Sequence, residues 1–389
     1  MQLYKKTLIL SIIFILFISC SVKQKIFLFE KSKFNSLFTP TILFKKKIKN
    51  KTKNFYSKLS PVLEDSIIYI ANREGVVKAF EINNSKELWH IDLSINNSFF
   101  SSKTSALLSS GLTIYNNKII IGTERGIVIA LNKKNGQIFW KTQVNGEILS
   151  KPIVYNNLLI IYTNSGQLQS IDIKTGKIKW TVSLFMKLLS LRGESTPIIS
   201  FETIIVCGDD GSINAISLSQ GELIWKKYIF QLIKMNTINK FNDIDSSPII
   251  DYGKLYVITC DNILLSLDIF SGEVLWKKNL SSINDMIISG ENIYIIDLND
   301  RVLSIRKTDG KTLWIQDKLI NNCLSPPEMF NGYLVFGDKE GYLYWLNTIN
   351  GNFVSINKID NSAIKIRPIQ FDDKLMVQTE NGTVYLLKI

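Results

Sequence analysis

Side chains able to do chemistry are few and dispersed in this 389-residue chain. The cysteines are Cys20, Cys207, Cys260 and Cys323, and none forms a Cys-x-x-Cys metal or redox pair with another. Cys207 and Cys260 sit inside apolar strand patterns and read as small buried hydrophobes. His90 is the only histidine. The paired carboxylates Asp209-Asp210 and Asp372-Asp373 fall at turns, where turn chemistry accounts for them. One reactive side chain has a telling context: Cys20.

Lys5 and Lys6 precede an apolar stretch from Leu8 to Ile18, followed by Ser19-Cys20-Ser21. A short positive region, a brief apolar core and a small residue at the cut site make a secretory signal peptide. The stretch is shorter than the ~20 residues a membrane-spanning helix needs. Phe17-Ile18-Ser19-Cys20 resembles the lipobox of bacterial lipoproteins, with Phe17 standing where leucine is usual. The resemblance implies a signal peptide over residues 1–19 and diacylation of Cys20 as the mature N-terminus. Multiple acyl chains hold a protein on a membrane far more firmly than one. Ser21 follows where inner-membrane retention usually shows aspartate, which favours the outer membrane.

From about residue 61 one phrase repeats: an apolar strand, a tight turn, an alternating strand, a turn with glycine, then tryptophan four residues later. Residues 119–140 (IIIGTERGIVIALNKKNGQIFW) and 159–180 (LIIYTNSGQLQSIDIKTGKIKW) are two instances. The closing tryptophans are Trp89, Trp140, Trp180, Trp225, Trp276 and Trp314. First-turn positions Gly75, Gly126, Gly166, Gly211, Asn262, Asp300, Gly341 and Gly382 mark eight units, with Asn and Asp as the residues that best tolerate a left-handed turn. Strands of period 2 with hairpin turns, repeating every ~40–45 residues, describe four-stranded propeller blades. The expected fold is all-β, an eight-bladed β-propeller of antiparallel blades. Each closing tryptophan packs between blades, for about 1.5–3 kcal/mol. The seventh unit has Ser355 at that place, so its packing must differ.

The eighth unit, residues 374–389, stops before its fourth strand. An unfilled place would leave a bare sheet edge. The segment from Pro40 to Lys45 fits it, with Phe44 in the role of the absent tryptophan. The expected organisation is a signal peptide (1–19), a tether (20–40) and a propeller (41–389) closed by an N-terminal strand in the C-terminal blade.

The formal net charge is +12, from 46 basic and 34 acidic residues. No compact Lys/Arg cluster coincides with a nucleic-acid-reading motif, so no nucleic-acid partner is expected and the surplus reads as lysines scattered over solvated turns. The densest run, Lys45-Lys46-Lys47-Ile48-Lys49, lies near the start of the folded part, where it discourages edge-to-edge pairing.

The repeat lacks the Gly-His and Trp-Asp pairs of WD40 blades and resembles that of pyrroloquinoline-quinone-type propellers. A quinone-dependent dehydrogenase needs a cation on hard oxygen ligands and a carboxylate base. This chain is just long enough for its blades, its cysteines are isolated, and no enzyme, cofactor or metal is expected. A second resemblance covers essentially all of residues 36–389. NFYSKL (54–59), Asn164-Ser165-Gly166-Gln167-Leu168, LSLRGES (189–195), DIDSSP (243–248), NDRVLSI (299–305) and GDKEGYLYWLN (337–347) resemble the BamB family, lipoproteins of the outer-membrane β-barrel assembly machinery. LSLRGES is a blade-to-blade connection, outside the repeat phrase, so a shared repeat does not explain it. The resemblance implies a scaffold at the periplasmic face of the outer membrane. It implies that Leu189, Leu191 and Arg192, with Asp243 and Asp245, dock the periplasmic POTRA domains of the barrel-forming subunit, BamA. Two apolar anchors beside a fork-shaped cation suit an interface hot spot. The alternative is an independent scaffold whose blade edges pair with nascent outer-membrane strands.

Overall fold

The computed structural model describes residues 30–48, 59–95, 104–184, 195–232, 244–259 and 263–389. The chain divides into two units, residues 1–33 and 34–389. The first is described only at its end, where Lys31–Lys33 forms one 3-10 turn and Lys33 pairs with Glu30.

In the second unit the described residues form eight four-stranded antiparallel sheets. Blade one consists of Val62–Glu64, Ile67–Ala71, Val76–Glu81 and Glu87–Asp92, from inner to outer strand. Blades two to seven repeat this order over residues 113–143, 153–183, 198–228, 249–278, 287–316 and 328–358. The second strands are buried on both faces, which is why they read as unbroken apolar runs such as Ile119-Ile120-Ile121. The outer strands alternate instead, because only one of their faces packs on a neighbour.

Blade eight takes three strands from residues 369–388 and its outer strand from Thr41–Lys47. The added strand runs antiparallel to Thr383–Lys388, with Phe44 opposite Leu386. Leu386 lies four residues after Gly382, as Ala79 lies four after Gly75, and Ala79 faces Trp89. Phe44 therefore occupies the tryptophan's place in the register. It is 2% exposed and packs with Phe80 of blade one at 6.1 Å between ring centroids.

The six closing tryptophans bind one blade to the next. Their indole N–H groups donate to the carbonyls of Lys133, Ile173, Leu218, Ile269, Lys307 and Thr348, at 2.9–3.2 Å. Each ring also lies on the glycine of the next blade's last turn, such as Trp89 on Gly136. A Cβ at Gly136 would sit 2.6 Å from the Trp89 ring, at a backbone φ of +72°. Glycine here meets both a steric and a conformational demand. Shared apolar clusters join successive blades, and one of them joins blade eight to blade one through Phe44, Met376, Leu386, Ile68, Ile70 and Phe80. The sheets thus form a ring.

Blade seven differs, as Ser355 foretold. The last strand of blade eight comes from the other end of the chain, so no turn lies there for a tryptophan to cover. Phe38 fills the space instead. Its backbone N–H donates to Ser355 Oγ at 3.0 Å, and its ring meets Trp345 at 5.2 Å. Ser36 and Leu37 add hydrogen bonds to Ile356 and Val354.

The left-handed turns expected from sequence are present at every described first-turn position, including Asp300 at φ 60°. Asn262 lies outside the described residues, as do Cys20 and Cys260.

Candidate functional site

The turns carrying Gly75, Gly126 and their equivalents share one end of the blades with the blade-to-blade connections. The two are laced together by backbone hydrogen bonds. Glu124, Asn164, Lys339 and Glu380 donate their N–H groups to the carbonyls of Leu107, Glu147, Asn322 and Ala363 in the preceding connections, at 2.8–3.0 Å. Side chains reinforce this. Arg73 of blade one meets Glu124 of blade two through two bonds of 2.8 Å, both residues largely buried. The fork geometry makes such a pair directional as well as strong. The Asp300 carboxylate accepts from the N–H groups of Cys323 and Leu324 at 2.8 and 2.9 Å. Loops held so firmly can present side chains to a partner at little entropic cost.

On this face the ends of the two sequence motifs meet. Ser195, the last residue of LSLRGES, donates its hydroxyl to the carbonyl of Ser246 in DIDSSP, at 3.3 Å. The N–H of Thr196 donates to Ser247 Oγ at 3.1 Å. Ile244 is buried against Cys207, Ile205 and Ile263, which pins the second connection to blades four and five. Asp245 stands half-buried between the buried Ile244 and Ser246. Leu189, Leu191, Arg192 and Asp243 lie outside the described residues.

The network continues into the connections that follow. The N–H of Ser247 donates to Asp285 Oδ1 at 2.7 Å. Arg367 of blade eight reaches blade six, donating to the carbonyl of Met286 at 2.9 Å and standing 3.9 Å from Asp285. Burial pushes the carboxyl of the nearby Glu328 above its ordinary range, and the Arg367 charge opposes the shift. Leu149, Ser150, Tyr162, Thr163, Asn164 and Asp209 line a small cleft between blades three and four.

Cys207 is buried, and that burial pushes its thiol pKa up to about 12, opposed by a hydrogen bond with Ser195. It is a packing residue, as its strand pattern suggested. Cys323 is exposed. Among the described residues no three His, Cys, Asp or Glu side chains converge to hold a metal ion. Nothing in the residue pattern signals the Asp285–Arg367 contact, whose partners are 82 residues apart and unremarkable alone.

Eight four-stranded sheets with a glycine–tryptophan lock between blades define a β-propeller of PQQ-like repeats. The family model for the outer membrane protein assembly factor BamB matches residues 73–316. The protein of that name from Salmonella typhimurium is 44% identical over 350 residues, covering 90% of this chain and 89% of its own. Its counterpart in Yersinia pestis is 38% identical over 390 residues, 99% of each chain. The chain belongs to the BamB family. The crystal structure of BamB from Moraxella catarrhalis superposes with a TM-score of 0.77 at 20% identity, covering 90% of this chain and 100% of that one. A europium-containing methanol dehydrogenase reaches 0.72 at 12% identity, covering 90% and 93%, a likeness of fold alone.

Proposed function

We propose that this chain is a non-enzymatic scaffold of the outer-membrane β-barrel assembly complex. It is anchored by acylated Cys20 at the periplasmic face, and its connecting-loop face docks the POTRA domains of the barrel subunit. The supporting observation is the pair of bonds from Ser195 and Thr196 to Ser246 and Ser247, which joins the bases of the two connections. Side chains carried on those connections, Leu189, Leu191 and Arg192 with Asp243 and Asp245, would then act as one surface. Relatives across 86–99% of this chain carry the name of an outer membrane protein assembly factor.

Arg192 stands three residues before Ser195, as Leu107, Glu147 and Asn322 stand before Ser110, Ser150 and Ser325. Those three residues give their carbonyls to the next blade's first turn. Arg192 itself lies outside the described residues, and the role proposed for it joins bracing of the loop to partner contact.

The test is co-purification of the barrel subunit from membranes. Leu191→Ala and Arg192→Ala should each reduce capture while circular dichroism and melting stay as in the parent. Undiminished capture by the double variant would reject the site.

The second reading, strand addition at blade edges, meets an obstacle. Every outer strand is bulged at one register, next to the pairs Ala79–Trp89, Ala130–Trp140 and Phe44–Leu386 among others. A bulged edge twists away from an added strand. Crosslinking to unfolded substrate in the absence of the barrel subunit would separate the two readings.

A further inference from the structure

The +12 charge is not spread over the propeller's turns. Thirteen of the 46 basic residues, and Glu30 alone of the 34 acidic ones, fall within residues 1–58. Residues 59–389 carry 33 of each sign and are neutral. The scattered-lysine reading of the composition is therefore corrected: the surplus belongs to the N-terminal segment, including the strand that completes blade eight.

That strand is an outer edge. Lys45 and Lys47 are exposed on it, and neither makes an ion pair with a described residue. Two carboxylates on the blade hold other lysines: Asp373 pairs with Lys374 and Lys388 at 2.8 and 2.7 Å, and Glu380 with Lys365 at 2.7 Å. On the same strand Ile42 and Leu43 are 50% and 40% exposed, and Leu37, which precedes it along blade seven, is 74% exposed. Lys45 lies over the Tyr385 ring at 5.2 Å, and apolar side chains next to ammonium groups without a carboxylate are the composition of a surface that sits at a lipid headgroup boundary. Cys20 precedes this strand by some twenty residues, so an acylated chain would hold the edge near a membrane.

We propose that the edge formed by Ile42, Leu43, Lys45 and Lys47, with the preceding Leu37, rests against an anionic lipid surface. The lysines meet headgroup phosphates, and the three apolar side chains enter the interface. This deepens the anchored-scaffold reading, and rests on it only for the nearness of the membrane. The lysines also guard the edge against pairing, a role that by itself requires no lipid.

The test uses the chain from residue 20 with Cys20→Ser, which keeps the whole propeller and takes no acyl chain, so a failed anchor assignment does not affect it. Sedimentation is measured with phosphatidylcholine vesicles, with and without phosphatidylglycerol. Binding should require phosphatidylglycerol and fall with added salt. Lys45→Gln and Lys47→Gln should each lower partitioning about five-fold, the equivalent of ~1 kcal/mol per lysine near the surface. The exposed pair Lys134 and Lys174, changed to Gln together on the turns of blades two and three, should leave it unchanged. Equal binding to neutral vesicles, equal loss in both pairs, or single-stranded DNA competing as well as lipid would overturn the proposal. Unchanged partitioning with new self-association in the edge variants would leave edge protection as the lysines' role and overturn it too. Palmitate labelling of the full chain tests Cys20 separately.

Discussion

Trp345 faces Ser355 across the third and outer strands of blade seven, the reverse of Ala79 facing Trp89 in blade one. Large and small residues have changed places, and Phe38 from the N-terminal segment occupies the volume that the serine leaves. Trp345 is fully buried, and its Nε1 has no hydrogen-bond partner among the described residues, whereas Trp314 Nε1 donates to Thr348 at 2.9 Å. The two tryptophans should respond differently to one substitution. Both changes lose indole volume, but Trp314→Phe also loses an inter-blade bond whereas Trp345→Phe removes an unmet donor, so Trp314→Phe should cost ~1 kcal/mol more. Midpoints of denaturant unfolding will tell them apart; an equal loss in both would contradict this account of Trp345.

The glycines allow a second comparison. Gly136 and Gly290 both have positive φ, at 72° and 57°. A Cβ at Gly136 meets the Trp89 ring, whereas one at Gly290 has nothing within 4 Å. Gly290→Ala should cost only the left-handed penalty, ~1–2 kcal/mol. Gly136→Ala should add ~1–3 kcal/mol for displacing the indole. Thermal melts of the two variants provide the check, and equal melting points would mean the indole yields freely.

Closure by the N-terminal segment predicts a larger effect. Phe44→Ala empties a buried site between blades eight and one and should cost ~3–5 kcal/mol. Deleting residues 34–48 should destabilise the entire ring, because blade eight loses its outer strand and Trp345 its cover. A deletion variant that unfolds at the parent's midpoint would refute this closure.

Glu328 makes a pH prediction. Its folded-state carboxyl is raised by burial, so the folded protein binds a proton more readily than the unfolded chain does. Stability from this group is present at low pH and lost as pH rises from the ordinary glutamate value, about 4.3, through the raised one. Asp172 and Asp268, held low by backbone and side-chain bonds to Thr175 and Ser271, lose their contribution as pH falls through a lower range. Glu328→Gln should therefore remove the decline above the glutamate range and leave the acid limb in place, read as melting temperature against pH.

Cysteine reactivity is a further check. In the folded protein Cys207 should resist alkylation near neutral pH, since burial both shields it and keeps it protonated, while Cys323 should react. Mass spectrometry after a short iodoacetamide pulse reads both.

Much of this fold is written in residue types that the backbone demands. Gly126, Gly166 and Asp300 mark left-handed turns because few other residues accept them, and each tryptophan leaves room for only glycine beneath it. Phe44 was legible because a missing strand and an orphan aromatic fit one another. Phe38 was not: its partner Ser355 lies 317 positions away, and neither residue carries a local pattern. The side chains proposed for docking were hidden for a related reason. Leu189, Leu191 and Arg192 sit in a connection with no period, and only resemblance singled them out. The bond between Ser195 and Ser246 spans 51 positions, and only the fold brings its ends together.

Thr41 pairs with Lys388, which gives this sheet one of the longest sequence separations the chain allows. In vectorial synthesis the strand Thr41–Lys47 emerges well before its neighbour Thr383–Lys388. Until then Ile42, Leu43 and Phe44 have no sheet to join, and such an orphaned apolar strand invites aggregation in a slow-maturing protein. Charges at Lys45, Lys46 and Lys47 disfavour pairing of such a strand with another chain before Thr383–Lys388 joins it.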